Sequence, residues 1–434
     1  MKKNKSLILF VFVFFVINIL LIENFYSPLT LPLIVLVYII SSLNPSLTIL
    51  QLVISQVFAS PPILPITLLQ LFSLIWVTVN ILKFKYFTKF YFDAFKYFIP
   101  FFLFTTLISI FKYDLQSVIA SLTLCLFLFI AYISWERVKD KNYIKYNIIL
   151  GSFSGAIPFI LKPFNLTYFS DERQHLIAGA MRGGVERFSA GLGDFNYIGA
   201  CILVAFIGAL SVYLFNKELK FKKRLFFLII SLASIPSIIA TLSRTSILGI
   251  IISVLLILIL TLHRRLIDIK KLINILFSLT IITIIFTFTQ SELIENYRTA
   301  FVEFVNESNI KDARGMIFSS HIDNIINNPF FGDKVYINGV EFAAHNVFIQ
   351  VASDYGILTF ILFVYMVLWI PYKRYVEYSN LDNIAYFLMY LICIYSMMSL
   401  SIGGWKIFWL LWLILILLNQ NRVSNNKQHL KIMC

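Results

Sequence analysis

The chain has 434 residues, of which 59% are hydrophobic and only 13% charged, with a mean hydropathy of +0.84. Soluble domains carry roughly 45–50% apolar and about 25% charged residues, so a water-soluble globular fold is excluded. A net charge of +14 would suggest nucleic acid in a soluble protein, but here the basic residues fall between apolar runs. The cheaper reading is membrane orientation with no nucleic-acid partner.

Met1-Lys2-Lys3-Asn4-Lys5 stands ahead of SLILFVFVFFVINILLI. Glu23-Asn24-Phe25 follow, with no small-residue cleavage site, so the run reads as an uncleaved first span rather than a signal peptide. Further spanning runs fall near 62–82, 95–111, 115–134, 145–161, 195–215, 224–241, 245–262, 272–288, 345–370, 384–401 and 404–418. Residues 30–58 form a shorter pair broken by Asn44-Pro45-Ser46, either two short spans or a re-entrant hairpin. The total is about 12–14 transmembrane helices at roughly 20 residues each. The runs are continuously apolar rather than alternating, which excludes a barrel. The expected fold class is therefore an all-α polytopic membrane protein with a large, partly helical periplasmic loop. Its segments are N-terminal spans (1–161), central spans with Arg-bearing outer loops (162–288), the large loop (289–344), and C-terminal spans with a tail (345–434).

An even count places both termini on one side. With that side cytoplasmic, the clusters Lys83/Lys85/Lys89, Arg137/Lys139/Lys141/Lys145, Lys217–Arg224, Arg264–Lys271, Lys373-Arg374 and the tail all face inward, as the positive-inside bias requires. These read as solvated faces. Three segments then face outward: the loop 162–195, the turn Thr241–Ser246 and the long polar stretch from Gln290 to Asn346. In that stretch, residues 291–306 are expected to form an amphipathic surface helix. Asp312 is the expected N-cap of a second helix, with Ile317, Phe318, Ile322 and Ile325 on one face, ended by Asn328-Pro329.

The chemically equipped residues lie in these outward segments. Arg244 sits between two apolar runs, where a guanidinium either snorkels at a helix end or faces a polar cavity and an anion such as phosphate. Arg314 lies early in the second loop helix, with Asp312 and Asp323 as candidate ion-pair partners. Arg182 and Arg187 precede a Gly-rich stretch, Gly191-Leu192-Gly193-Asp194-Phe195-Asn196, whose glycines allow close backbone approach to a ligand or simply form a turn. His345, followed by Asn346, stands at membrane re-entry. Its imidazole either makes a structural hydrogen bond or takes a proton from an attacking hydroxyl. Cys125, Cys201 and Cys393 sit inside apolar runs, and no CxxC or His/Cys cluster suggests a metal site; no cofactor is expected.

Four pieces in order resemble the O-antigen polymerase and O-antigen ligase superfamily of the bacterial envelope. They are Glu186–Gly191 running to Asp194-Phe195-Asn196; Leu242-Ser243-Arg244-Thr245-Ser246; Ala313-Arg314 through Asn328-Pro329-Phe330-Phe331-Gly332; and Ala344-His345-Asn346-Val347-Phe348-Ile349-Gln350 leading to Asp354-Tyr355-Gly356-Ile357-Leu358. The likeness covers roughly residues 185–370; the N-terminal spans match only in hydropathy. Phe195 departs from the pattern, in which proline often precedes the asparagine.

The resemblance implies metal-independent glycosyl transfer on the outer side of the plasma membrane, from a glycan carried on undecaprenyl diphosphate. Arg244 and Arg314, with Arg187 in support, would hold diphosphate, and His345 would be the general base. Asn346 would orient the base or the sugar, with Asn196 and Arg182 also binding substrate. The expected activity is polymerisation of repeat units into O-antigen or capsular polysaccharide. The alternatives are an O-antigen ligase acting on the lipid A core and, further off, a lipid-linked oligosaccharide flippase, which would show two related halves and mid-membrane charges. Expected partners are the lipid-linked donor and acceptor, the bilayer, a chain-length regulator and a flippase.

Overall fold

The computed structural model describes residues 3–23, 30–58, 66–81, 95–161, 181–182, 185–186, 194–216, 218–264, 309–337, 339–377, 381–398 and 405–418. The expected span 272–288, the surface helix 291–306 and Arg187 lie outside them. Six described helices are long and apolar enough to cross a membrane, and seven shorter apolar helices accompany them. The fold is all-α and polytopic, as the sequence leads one to expect.

In chain order the helices are α1 Lys3–Glu23, α2 Thr30–Leu43, α3 Pro45–Val57, α4 Leu68–Asn80, α5 Phe98–Phe111, α6 Leu115–Arg137, and α7 Asn142–Leu161 with a 3-10 turn at Ser154–Ala156. There follow α8 Phe195–Phe215, α9 Phe221–Ala240, α10 Arg244–Arg264, α11 Asn309–Asn327, α12 Val347–Val364, a π-helical stretch Tyr365–Trp369, α13 Ile370–Glu377, α14 Leu381–Met397 and α15 Lys406–Leu418. Local chemistry sets the starts. Asn44 accepts from the amides of Ser46 and Leu47 while Pro45 opens α3, Thr67 and Gln70 close a capping box on α4, and Asp114 caps α6. Buried hydroxyls such as Ser211 and Ser253 bond back to carbonyls of their own helices, on Ile207 and Gly249, which removes the cost of an unpaired polar group in apolar surroundings.

Helix α8 is the axis of the bundle, apolar on every face and buried against α7, α9, α10 and α14. At Gly208, an added Cβ would lie 2.6 Å from Sδ of Met389, so this glycine sets how closely α14 approaches.

The segment 30–58 is an antiparallel helical hairpin with its tip at Asn44. Near the tip, Ser41 O accepts from Thr48 Oγ1 and Ser46 O from Asn147 Nδ2, early in α7. At the far end Gln56 O accepts from Tyr197 Oη, early in α8. Helix α3 therefore runs from the early part of α7 to the start of α8, and an antiparallel hairpin is the arrangement that two short spans and a re-entrant hairpin share.

One expected boundary is corrected. The second loop helix starts at Asn309, so Asp312 lies within its first turn and is not its N-cap. An acidic residue there suits the positive end of the helix dipole as well as a cap would, so charge alone did not separate the two positions. The helix stops at Asn327, immediately before Asn328-Pro329.

Candidate functional site

The chain direction sorts the turns into two ends of the bundle. At one end lie Lys112–Asp114, Asp194, Thr241–Ser243, His345-Asn346 and Met398. The last turn of α14 ties two of these together. Tyr395 Oη donates to Thr245 O (3.0 Å), beside Arg244, and Asn346 Nδ2 donates to Met398 O (3.0 Å), beside His345. The start of α8 joins the same cluster: a Cβ on Gly199 would fall 2.4 Å from Ser246 Oγ and 3.1 Å from Thr241 Oγ1. Arg244, Asn196 and His345-Asn346 thus belong to neighbouring turns.

Arg244 is the first residue of α10 and half-buried. Its turn is held by Ser243, whose Oγ accepts from the Ser246 amide and hydroxyl (3.4 and 3.0 Å), and by Leu242 at φ 49°. Asn196 follows Asp194, which caps α8 by accepting from the Asn196 and Tyr197 amides (2.8 and 3.2 Å). Arg182 lies on a two-residue strand, Met181–Arg182, paired with Val185–Glu186. The backbone of Arg314 lies in α11, two turns before His321.

His345 is exposed, with φ 53° in the left-handed region. Among the described residues, all three non-glycine residues with positive φ (Tyr113, Leu242 and His345) stand in turns at this end. Such backbone costs of order 1–3 kcal/mol and persists where the surroundings over-determine it. Asn346 supplies one constraint: its Oδ1 caps α12 through the Phe348 and Ile349 amides (3.0 and 3.2 Å). Gln350 supplies another, accepting from the Ala344 amide (2.6 Å) and donating to Asp354 (2.5 Å). Asn346 therefore spends its side chain on backbone groups that fix the turn carrying His345.

A second histidine, within the outward-facing stretch from Gln290 to Asn346, lies beneath. His321 is fully buried; Nδ1 meets Ser353 Oγ at 2.9 Å and Nε2 meets Phe342 O at 3.1 Å. A proton on Nε2 serves the carbonyl and leaves Nδ1 to accept from Ser353. Burial pushes the His321 pKa down, the carbonyl opposes this in part, and nearby His345 pushes down again.

The loop is also locked into α12. Gly356 (φ 81°) interrupts the helix, and Gly332 (φ 60°) turns the loop against it. Ser353 O accepts from the Asp333 amide (2.7 Å) and Asn324 Nδ2 (3.1 Å). Lys112 Nζ bridges Gly332 O and Asp354 O at 2.8 and 2.7 Å. Lys334 pairs with Asp114 (2.9 Å) and Glu341 (3.1 Å). Partial burial opposes charge on Asp114, but bonds from Ser117 and Lys334 hold its carboxyl below the usual range. Of these groups, Lys112, His321, Asn324, Gln350 and Ser353 were not legible as a set. A lysine in the three-residue turn between two apolar runs was the available signal for Lys112. Among the described residues no group of three His, Cys, Asp or Glu is placed to hold a metal ion.

Residues 228–364 match the family model described as O-antigen ligase. No curated protein matches the chain. The resemblance to the O-antigen polymerase and ligase superfamily is thus shown over the segment that contains Arg244, Arg314, His321, His345 and the Gly332–Gly356 lock. It supports a membrane enzyme of the kind that polymerises or ligates lipid-linked glycans.

Proposed function

We propose that this chain is a membrane glycosyltransferase that joins undecaprenyl-diphosphate-linked repeat units into O-antigen or capsular polysaccharide at the periplasmic face. The observation that carries the reading is the O-antigen ligase match over 228–364, a segment that includes both the Arg244 turn and the strained turn at His345. In the reaction, an acceptor sugar hydroxyl attacks the anomeric carbon of the donor. The new glycosidic bond forms as the bond to diphosphate breaks, and undecaprenyl diphosphate leaves.

Diphosphate needs no proton to depart, only fixed positive charge as the bond breaks. Arg244 and Arg314, aided by Arg187 and Arg182, take that role without a metal. The hydroxyl proton passes to His345, because imidazole is the side chain that most readily takes up and gives back a proton near neutral pH. Asn346 acts as a positioning residue through the turn it caps, and Asn196 contacts sugar or phosphate. A chain-length regulator and a flippase are natural partners of such an enzyme.

Complementation of a deletion strain tests this. His345→Ala and Arg314→Ala abolish polymer at unchanged membrane protein level; normal polymer from the His345→Ala strain removes the proposed base. The description of the matched family favours a second reading, transfer of finished glycan to the lipid A core. The deletion strain separates the two: single repeat units on the surface mark a polymerase, and accumulated carrier-linked polymer marks a ligase.

A further inference from the structure

At the end of the bundle remote from His345, a cavity of about 370 Å³ opens between the start of α9, the turn before α7 and the middle of α1. Two charges of each sign line it. Lys222 and Lys223 come from the first turn of α9, and Asp140 and Glu218 from the adjoining turns. Its walls are aromatic: Phe12 and Phe226 meet edge to face at 5.8 Å, and Tyr146 packs on Phe227 at 5.0 Å. Asn216, only 4% exposed, also lines it. Its Nδ2 donates to Tyr146 Oη at 3.2 Å, while its Oδ1 is buried and accepts from no donor among the described residues.

Positive charge is crowded here. Lys220, Lys222 and Lys223 share the start of α9 with the positive end of that helix's dipole, and Lys220 provides no side-chain cap. Arg224 turns away to donate to Tyr213 O at 2.9 Å. An anion relieves this crowding. A purely anionic ligand, however, meets Asp140 and Glu218 with the wrong sign. A soluble ion leaves the aromatic walls bare, and Phe12 on one of those walls is exposed.

We propose that this cavity binds the headgroup of a zwitterionic glycerophospholipid, phosphatidylethanolamine, from the adjoining leaflet. The phosphate lies on Lys222 and Lys223. The primary ammonium lies among Asp140, Glu218 and Asn216 Oδ1, where the aromatic faces also favour a cation. The acyl chains run out over Phe12 and Phe226. The volume falls at the low end of small-ligand pockets, which suits a headgroup with its glycerol rather than a whole lipid. Choline has no N–H to offer Asn216, and glycerol has no cation for the carboxylates. This inference does not rest on the glycan-joining reading.

Native mass spectrometry of the full chain in mild detergent, with added phosphatidylethanolamine, phosphatidylcholine or phosphatidylglycerol, tests it. The expected result is one phosphatidylethanolamine per chain, retained at least about fivefold over the other two (roughly 1 kcal/mol). Lys222→Glu with Lys223→Glu lowers that retention at least fivefold, and Glu218→Lys shifts preference toward phosphatidylglycerol. Equal retention of the three lipids, preference of the unaltered chain for phosphatidylglycerol, or retention unchanged in the double variant overturns the proposal. The comparison of lipids on the unaltered chain decides the matter even where a variant fails to fold.

Discussion

The amide of Ile357 donates to the carbonyl of Pro329 at 2.8 Å, although an unbroken helix would direct it to Ser353 four residues back. Ser353 O is taken instead by the Asp333 amide and by Asn324. The Asn328–Gly332 turn thus enters the break in α12, and the Ile357 amide and Ser353 carbonyl released by the break find partners across it. Because buried backbone polar groups must be paired, this exchange holds the loop against the helix without a large apolar interface.

Both glycines of this exchange are intolerant of a side chain. A Cβ on Gly356 would lie 2.2 Å from Phe330 O, and one on Gly332 would lie 2.2 Å from Ser353 O. With the left-handed backbone adding about 1–2 kcal/mol, Gly332→Ala and Gly356→Ala each destabilise by roughly 3 kcal/mol or more. Thermal unfolding in detergent shows this as a clear fall in apparent Tm. At Gly315, in α11, a Cβ meets nothing within 4 Å. Gly315→Ala therefore leaves Tm unchanged or raises it, by up to about 1 kcal/mol of helix propensity. Equal melting of all three variants would contradict the lock.

Lys112→Met keeps the side-chain stem but withdraws the donor shared by Gly332 O and Asp354 O. Two partly buried carbonyls lose a charged partner, at a cost of about 1–3 kcal/mol. Amide exchange at Asp333 and Ile357 should quicken before exchange in α8 does. Unaltered protection at those two amides would show that Lys112 is incidental.

His321 makes stability depend on pH. Burial, opposed by the Phe342 carbonyl and reinforced by His345, holds its folded pKa below 6.5. Between those two values the unfolded chain binds a proton that the folded chain does not, so stability falls as pH drops below about 6.5. His321→Gln should melt lower than the unaltered chain at pH 7.5, with the gap closing toward pH 5. A gap that stays constant with pH would mean the imidazole titrates equally in both states.

Fold and chemistry at His345 are separable because asparagine tolerates the left-handed region. His345→Asn should lose polymer while melting closer to the unaltered chain than His345→Ala does, since its backbone strain is smaller. His345→Ala should lose polymer and also about 1 kcal/mol of stability. Polymer formed by the His345→Asn strain would leave the imidazole without a part in proton transfer.

The helices were legible because lipid leaves a chain few choices. Backbone groups without water must be satisfied within the segment, so a continuous apolar run reads as a helix. Asn44-Pro45 and Asn328-Pro329 marked their breaks for the same local reason. The motif around Arg244 and the one around His345-Asn346 could likewise be picked out, since polar residues stand out against apolar neighbours. What the Asn346 side chain bonds was not legible: as a string it suits orienting the base or the sugar, while the structure shows it capping α12 and holding Met398.

The sequence by itself determined the membrane-spanning class, the position of most helices and the segments rich in polar chemistry, because each follows from neighbours within a few turns. Only the tertiary structure decided that Lys112 clamps Gly332 to Asp354, that His321 is buried beneath Ser353, and that Tyr395 and Asn346 draw the Arg244 and His345 turns to one helix end. Those pairings join residues as many as 242 positions apart. They depend on which helix faces which, and that is fixed by packing rather than by any local pattern.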